Sequence, residues 1–496
     1  MFKARWLAMG MCGLFSPVGL GAIDAVAGAS GATLRSTYAN AAALAQLPVD
    51  MTLADAIYLG LRGNRSIRSA YLQRVTQKYD LLVAEHAFNP KLQLKANYRN
   101  TSGSPGSESN TSLTPGASLL GEHGTRLSLS WAQQLNDGQP TGRHRSDGVN
   151  LAIIQPLARG AGWEVTTAPV RLARLAEQAQ RLALKAGVAQ TVSEIISSYR
   201  ELLRAQEHLA ITQAALDRAT ALLETNNALI AAGRMAQFEI VQAQADIASR
   251  ELEAEQAQGE VETGRLALLR LLALDLSSPI RASETLTAEP VSLSPPEVLR
   301  LAEAQQPEYL SMLLASQQAD LNLILAKDQS RWDVSLVAGL NQVRDNYTGS
   351  AGNMGGRAWD SYAGLELQIP IADPASRQAE VRAQVGLEAQ RVALADAHQA
   401  LQHSVNDVLR ELGTRWRQYE ISLRGVELSK RKLAIEKDKL AVGRSSNFQV
   451  ISYEGDLRTA ESARLNALIA YLNAQTRLDL TLGMTLESWD IALNDY

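Results

Sequence analysis

The sequence predicts a mainly α-helical protein, in which very long coiled-coil helices meet a small transmembrane β-barrel at one end and the whole is built from an internal two-fold repeat. Three observations lead there. Helix-compatible stretches are far longer than a compact domain uses, short segments near one end of them alternate strictly between apolar and polar residues, and both features recur along the chain.

The chain begins with a secretory pattern. Lys3 and Arg5 precede a mostly apolar run over residues 6–20, and small residues around Gly21, Ala22 and 25–27 supply cleavage sites, so residues 1–27 read as a signal peptide and 28–50 as a linker. A short membrane anchor is the competing reading, but the run is broken by Gly and Pro and falls short of the ~20 residues that span a bilayer. Cys12 is the only cysteine and lies within that segment, which leaves the rest of the chain without a thiol for disulfide, metal or nucleophilic chemistry. Met11, just before it, is not the small residue that lipid attachment at Cys12 wants. With 48 basic and 52 acidic residues the net charge is −4, and no basic footprint for nucleic acid is present.

Internal repetition organises the remainder. Leu92, Leu94 and Ala96 recur as Val334, Leu336 and Ala338 at an offset of 242; Leu151 and Pro156 recur as Leu365 and Pro370 at 214; Gly233, Arg234, Phe238, Asp246 and Glu251 recur as Gly443, Arg444, Phe448, Asp456 and Glu461 at 210. The first repeat therefore covers 51–283, with a helix, a β-hairpin over 91–157, a long helix over 164–232 and a helix over 235–274. The second covers 284–496, with a helix over 296–329, a β-hairpin over 333–371, a long helix over 374–441 and a helix over 447–483. The fall in offset from 242 to 214 inserts 28 residues into the first hairpin, where 101–121 is rich in Ser, Gly, Thr and Pro and reads as an exposed loop. The segment 125–135 alternates like a strand and has no evident place in that scheme.

Each long helix is on the order of 100 Å. Asp373-Pro374 makes a cap and first turn for the second. In the first, Leu172, Leu175, Ala179, Leu182, Ala186 and Ala189 step by three and four, the period of a coiled coil with small knobs. The shorter helices, taken end to end, match one long helix, so each long helix is expected to run beside two short ones, with a linker over 275–294 and sharp reversals at Gly233 and Gly443.

The strand segments have one apolar and one polar face. Leu92, Leu94, Ala96 and Tyr98 oppose Lys91, Gln93, Lys95, Asn97 and Arg99, and 362–368 has the same character. A half-buried soluble sheet shows this alternation as well as a membrane barrel does, but nothing in the chain is left over to cover a second sheet face. Helices that enter and leave on one side require an even number of strands in each repeat. Two per repeat and four per chain is the economical solution, too few to close a barrel of about eight or more strands, so oligomerisation is expected.

Taken together, Thr52-Leu-Ala-Asp-Ala56, Gly63-Asn64, Gln155-Pro-Leu-Ala-Arg-Gly-Ala-Gly162, the stretches 233–247 and 443–457, and 478–483 give the chain a pattern that resembles the TolC-like outer-membrane efflux proteins over residues 50 to 490. The resemblance implies a homotrimer with a shared 12-stranded barrel in the lipid of the outer membrane and a helical tunnel, a periplasmic α-barrel, reaching an inner-membrane transporter and a periplasmic adaptor protein. It implies a passive channel for efflux or type I secretion, without cofactor or catalysis. It also implies adaptor contacts at the helix tips, Gly233, Arg234, Gly443 and Arg444. The family often carries an acid six residues beyond each tip glycine, which Glu239 keeps and Gln449 does not; the implied gate comprises Glu239, Gln449, Arg234 and Arg444. Ordinary exposed helix turns would also accommodate Glu239 and Arg444. A periplasmic coiled-coil adaptor or scaffold shares the long helices, but its strands should form soluble domains at both ends of a single hairpin.

Enzyme and metal signals are weak. His398 and His403 are five apart and do not share a helix face, and the glycines over 349–356 are not followed by the Lys and Ser/Thr of a phosphate cradle.

Overall fold

The computed structural model describes residues 48–103, 106–138, 142–291, 293–349, 352–371 and 374–493. The expected signal peptide, the linker as far as residue 47, and Asp373 of the expected helix cap lie outside the described residues.

The helices form as eight main elements: α1 (Leu53–Gly63), α2 (Arg65–Glu85), α3 (Ala168–Ala231), α4 (Glu239–Leu272), α5 (Pro295–Gln305), α6 (Pro307–Gln329), α7 (Ala375–Ala441) and α8 (Asn447–Leu482). The long ones, α3 and α7, have 64 and 67 residues. Each leading short helix breaks once, at Asn64 and at Gln306, positions 242 apart. Asn64 Oδ1 accepts from the Ser66 amide at 2.8 Å, and Gln306 Oε1 accepts from the Tyr309 amide at 2.5 Å. A side chain that caps the second helix also stops the first from continuing, because it offers the backbone donors a partner outside the helix.

Packing follows the repeat. α3 packs against α2 and α4 on one side and against α6 and α8 on the other, whereas α7 packs against α6 and α8. Near the junction of the short helices, Val192, Ile195, Ile196 and Tyr199 of α3 meet Leu268, Leu269 and Leu272 of α4 and Ala56 of α1, all buried. The equivalent knot in the second repeat joins Val405 and Val408 of α7 to Tyr471 and Leu478 of α8 and Ala302 of α5. Two buried tyrosines pin the midpoint linker to these knots. Tyr199 accepts from the Ser283 amide at 3.3 Å while donating to the Met51 carbonyl at 2.8 Å, and Tyr471 donates to the Glu289 carbonyl at 2.6 Å. Burial pushes the Tyr199 hydroxyl up to about 12, so it stays a donor throughout the physiological range.

The strands differ from expectation. Six, not four, make one antiparallel meander: β1 (Lys91–Gly103), β2 (Gly106–Leu120), β3 (Arg126–Gly138), β4 (Gly142–Pro156), β5 (Asp333–Gly349) and β6 (Gly352–Gln368). The hairpin expected over 91–157 is therefore four strands. The loop expected over 101–121 covers the end of β1 and all of β2, and 125–135 covers most of β3, in the interior of the sheet. The loop-like composition is the face of a strand: Asn110, Ser112, Thr114, Gly116 and Ser118 alternate with Thr111, Leu113, Pro115, Ala117 and Leu119. Pro115 lacks an amide donor, and the β2–β3 pairing skips Thr114 and Pro115 accordingly. A 12-stranded barrel from three chains does not follow from six strands per chain.

Sheet and helices join at an elbow after β4. Leu157 and Arg159 extend the β4–β5 pairing by donating to Val334 and Trp332, Arg159 pairs with Asp333, and the Gly160 amide donates to the buried Asp328 carboxylate at 2.8 Å. The β2–β3 turn rests on this elbow: the Gly162 amide donates to the His123 carbonyl, and a Cβ at Gly124 would collide with the Gly160 carbonyl oxygen.

α4 and α8 end alike, at positions 210 apart, in the left-handed conformation. Gly483 suits it, with φ +72°, but Ala273 occupies it at φ +54°. An L-residue is strained there by roughly 1–2 kcal/mol, part of which glycine's greater unfolded-state entropy offsets. Ala273→Gly should therefore raise stability by about 1 kcal/mol, read as a higher midpoint of thermal unfolding in detergent.

Candidate functional site

Two regions stand out, the helix tips far from the sheet and the flanks of the subunit. At both tips a glycine turns the chain with positive φ, +70° at Gly233 and +75° at Gly443. The hydrogen bonding is the same at each. Gly233 and Arg234 amides donate to the Ile230 and Leu229 carbonyls, and Gly443 and Arg444 amides donate to the Leu440 and Lys439 carbonyls, at 2.8–2.9 Å. This double closure satisfies the last carbonyls of each long helix and leaves the following arginine outside the helix, exposed.

The two arginines then differ. Arg234 Nη2 donates to the Ala441 carbonyl at 3.1 Å, so the first tip caps the C-terminus of the second long helix. The side chains of Arg444, half-buried Glu239 and Gln449 make no hydrogen bond or ion pair with the described residues. The four residues of the expected gate are thus all at the tips, but no Arg–Glu pair forms between them within one chain.

What holds the tips together lies just above them and escaped the sequence reading. Asn226 of α3 donates to Asn447 of α8 at 2.9 Å, both side chains almost wholly buried, while Asn226 Oδ1 and Asn447 Nδ2 have no partner among the described residues. Two turns further up, Glu454 of α8 accepts from Arg218 of α3 at 2.7 Å and meets Lys437 of α7 at 2.6 Å, so three helices share one buried carboxylate. Leu222, Val426, Leu433, Leu440, Val450 and Leu457 fill the space around these polar groups. The available signal was an asparagine at a seam position: Thr212, Ala215, Ala219, Leu222 and Asn226 step by three and four down the buried side of α3. A second polar cluster encloses Glu436, whose carboxylate accepts from Ser445 Oγ at 2.6 Å and from Lys439 Nζ at 3.1 Å. These two donors hold its carboxyl below the usual carboxylate range.

The flanks carry unpartnered apolar rows. Ile421, Leu428, Ile435 and Val442 recur every seven residues down α7 and are all exposed, beside the buried row Val426, Leu433 and Leu440 that faces α8. On the opposite flank, Leu72, Val75, Tyr79, Leu82 and Val83 of α2 are exposed. The outer strands β1 and β6 lie at the same two flanks, with no strand beyond either in the sheet. A row spaced by seven is one half of a coiled-coil seam.

Among the described residues, no helix is long and apolar enough to cross a membrane, and no group of three or more His, Cys, Asp or Glu is placed to hold a metal ion.

No protein-family model matches the sequence, and no curated protein matches it. Solved structures do. The chain is similar to the CmeC outer membrane channel of Campylobacter jejuni, with 15% identity, TM-score 0.65 and 87% of this chain aligned to 86% of that one. For the outer membrane protein VceC of Vibrio cholerae the values are 16%, 0.65, 87% and 96%. For the open state of the MtrE outer membrane channel of Neisseria gonorrhoeae they are 18% identity and TM-score 0.65, with 88% of this chain covering 89% of that one. The chain has the fold of these channels, a helical tunnel segment joined to a β-domain.

Because the native Glu436 carboxyl is held below its ordinary value of 4.5, its contribution is complete above that value and is lost as the pH falls through the lowered one. Hydrogen exchange at the 441–446 turn should follow its intrinsic pH dependence from neutral pH down to the ordinary carboxylate range and accelerate beyond it only at more acid pH. Glu436→Gln should remove that acid step.

Proposed function

We propose that the chain is one subunit of a passive exit duct in the outer membrane, assembled as a homotrimer, that accepts substrates from an inner-membrane transporter and a periplasmic adaptor and catalyses nothing. The observation that carries this reading is a sheet whose apolar face is bare, set at one end of helices ~100 Å long, in a subunit with both flanks unpartnered. A bare apolar sheet face suits lipid, and helices of that length suit a tunnel through the periplasm. Open sheet edges suit neither water nor lipid, so copies must complete the wall. The solved channels described above share the fold, which supports the reading. A periplasmic scaffold fits less well, because it needs soluble β-domains at both ends of one hairpin.

The internal repeat supplies the subunit contact. Within one chain, α3 of the first repeat packs against α6 and α8 of the second. The equivalent contact sets α7 of one subunit against α2 and α4 of the next, which brings the bare α7 row near the tip onto α4 and the exposed Val381, Val385 and Val392 of upper α7 onto the bare α2 flank. Such a head-to-tail contact closes into a ring when its rotation is right. At the tips, Gly233, Arg234, Gly443 and Arg444 are the exposed turns offered to the adaptor. Arg444 and Glu239, unpaired among the described residues, then latch across subunits, and Gln449 leaves the second repeat without a matching acid.

Two measurements test this. Protein extracted from outer-membrane fractions should sediment with a detergent-corrected mass near three chains, and Leu428→Glu combined with Ile435→Glu should yield monomers of unchanged helicity. Wild-type monomers that need no detergent would overturn the duct. In planar bilayers, Glu239→Ala and Arg444→Ala should each raise the conducting fraction several-fold, and the double variant should add little more if the two residues form one latch.

A further inference from the structure

The insertion of 28 residues that separates the two repeats accounts for β2 and β3. By the repeat, β1 corresponds to β5 and β4 to β6, so the added pair sits between two strands that have counterparts. We propose that this pair lies in the wall of the membrane barrel and is not a soluble appendage, so that each subunit contributes six strands and the barrel is as wide as the helical tunnel beneath it. The proposal rests on the duct reading and gives it a pore size.

The first support is an apolar band that crosses the sheet without a gap. It runs through Leu92–Tyr98 alternates on β1, then Leu113, Pro115, Ala117 and Leu119 on β2, and Leu127, Leu129 and Trp131 on β3. It continues through Val149, Leu151 and Ile153 on β4, Val334 to Leu340 alternates on β5, and Ala363, Leu365 and Leu367 on β6. The strand pairing puts all of these on one face: Leu92 pairs with Ala117, Ala117 with Leu129, Leu129 with Leu151, and Leu151 with Leu340. The opposite face of the added pair carries Ser112, Thr114, Gly116, Ser118, Ser128 and Ser130, small and polar as a watery lumen requires. A hairpin standing outside the membrane has no reason to continue the band at the same height.

The second support is the slant of the band. The rung that starts at its lower edge on β1, at Leu92, leaves it on β6 at Ser361, above Ala363. The centre of the band shifts by about seven residues over the five steps between strands, and with a rise of ~3.3 Å and a spacing of ~4.8 Å this is a strand tilt of about 40–45°. Membrane barrels tilt their strands by roughly 35–45°. All six strands, the added two included, follow one slope.

The third is circumference. At that tilt each strand occupies about 6.5 Å of the barrel's girth, so six occupy about 39 Å and four only about 26 Å. Below them each chain contributes four helix columns (α2 above α4, α3, α6 above α8, and α7), which at 8–10 Å apart occupy roughly 32–40 Å. Six strands match the girth of four columns. Three subunits then make an eighteen-stranded barrel about 37 Å across its backbone.

The chain's single cysteine, Cys12, makes a cysteine-free background simple to prepare as Cys12→Ser. Single cysteines at Ser128, Leu129 and Ser130 of the added pair, with Lys95 and Leu94 of β1 and Glu366 and Leu365 of β6 as references, would be probed in outer-membrane vesicles with a water-soluble maleimide and with a lipid-dissolved one. Ser128→Cys and Ser130→Cys should react at least about tenfold faster from water than Leu129→Cys, and Leu129→Cys should react from lipid, matching the reference pairs. Equal aqueous labelling at all three, with the references still alternating, would place the hairpin outside the wall and overturn the wide barrel while leaving the duct intact. Loss of alternation at the references as well would overturn the duct itself.

Discussion

A backbone amide or carbonyl that enters hydrocarbon must already have its partner, since lipid offers none and each orphan costs several kcal/mol. That constraint organises the molecule. Each strand inside the sheet satisfies its neighbours, but β1 and β6 each have one row of groups that no residue of this sheet reaches. The same chain ends its α7 flank in a bare heptad row and its α2 flank in another apolar surface. Sheet edges and helix flanks are incomplete on the same two sides, so in the proposed trimer one rotation would complete both barrel and tunnel.

Away from the membrane the polar groups have the opposite assignment. The lower helices are joined through Asn226–Asn447, the Arg218–Glu454–Lys437 cluster and the Glu436 turn, with a modest apolar knot between them. Buried polar contacts of this type specify a register more than they add stability, and the unpaired Asn226 Oδ1 and Asn447 Nδ2 gain hydrogen bonds to water if the helices part. In the proposed duct, the end that would open is held by groups that water can replace. The knots at Tyr199 and Tyr471 are apolar and closely packed, and they keep the middle of the subunit rigid.

Much of this was legible in the residues. The spacing of Gly233-Arg234 and Gly443-Arg444 located both tips, and the heptad steps from Leu172 to Ala189 marked a coiled coil. The breaks at Asn64 and Gln306 were less visible, since a capping amide looks like any polar residue until its backbone partners are known. The added strands were misread for a specific physical reason. A lumen-facing position wants Ser, Thr, Gly or Asn, the same residues that favour turns, and Pro115 on the lipid side hid the remaining alternation of Leu113, Ala117 and Leu119. The offset that fell from 242 to 214 already contained the correction, because 28 residues is the combined length of the two added strands.

The internal repeat has one further consequence. In a ring of such subunits, every second seam between repeats is spanned by a single polypeptide, through the linker that Tyr199 and Tyr471 fasten to their knots. Those seams re-form at the high effective concentration of a tether, whereas the seams between α7 and the next subunit depend on encounter within the membrane. Assembly therefore has half as many bimolecular steps as a ring of separate repeats, and disassembly can begin at only half of its joints. Duplication also freed the two kinds of seam to diverge: the Arg218–Glu454 pair inside the chain has Leu428 and Gln244 as its counterparts at the outer seam. A substitution on the bare row of α7 can retune how subunits meet without disturbing how each one folds.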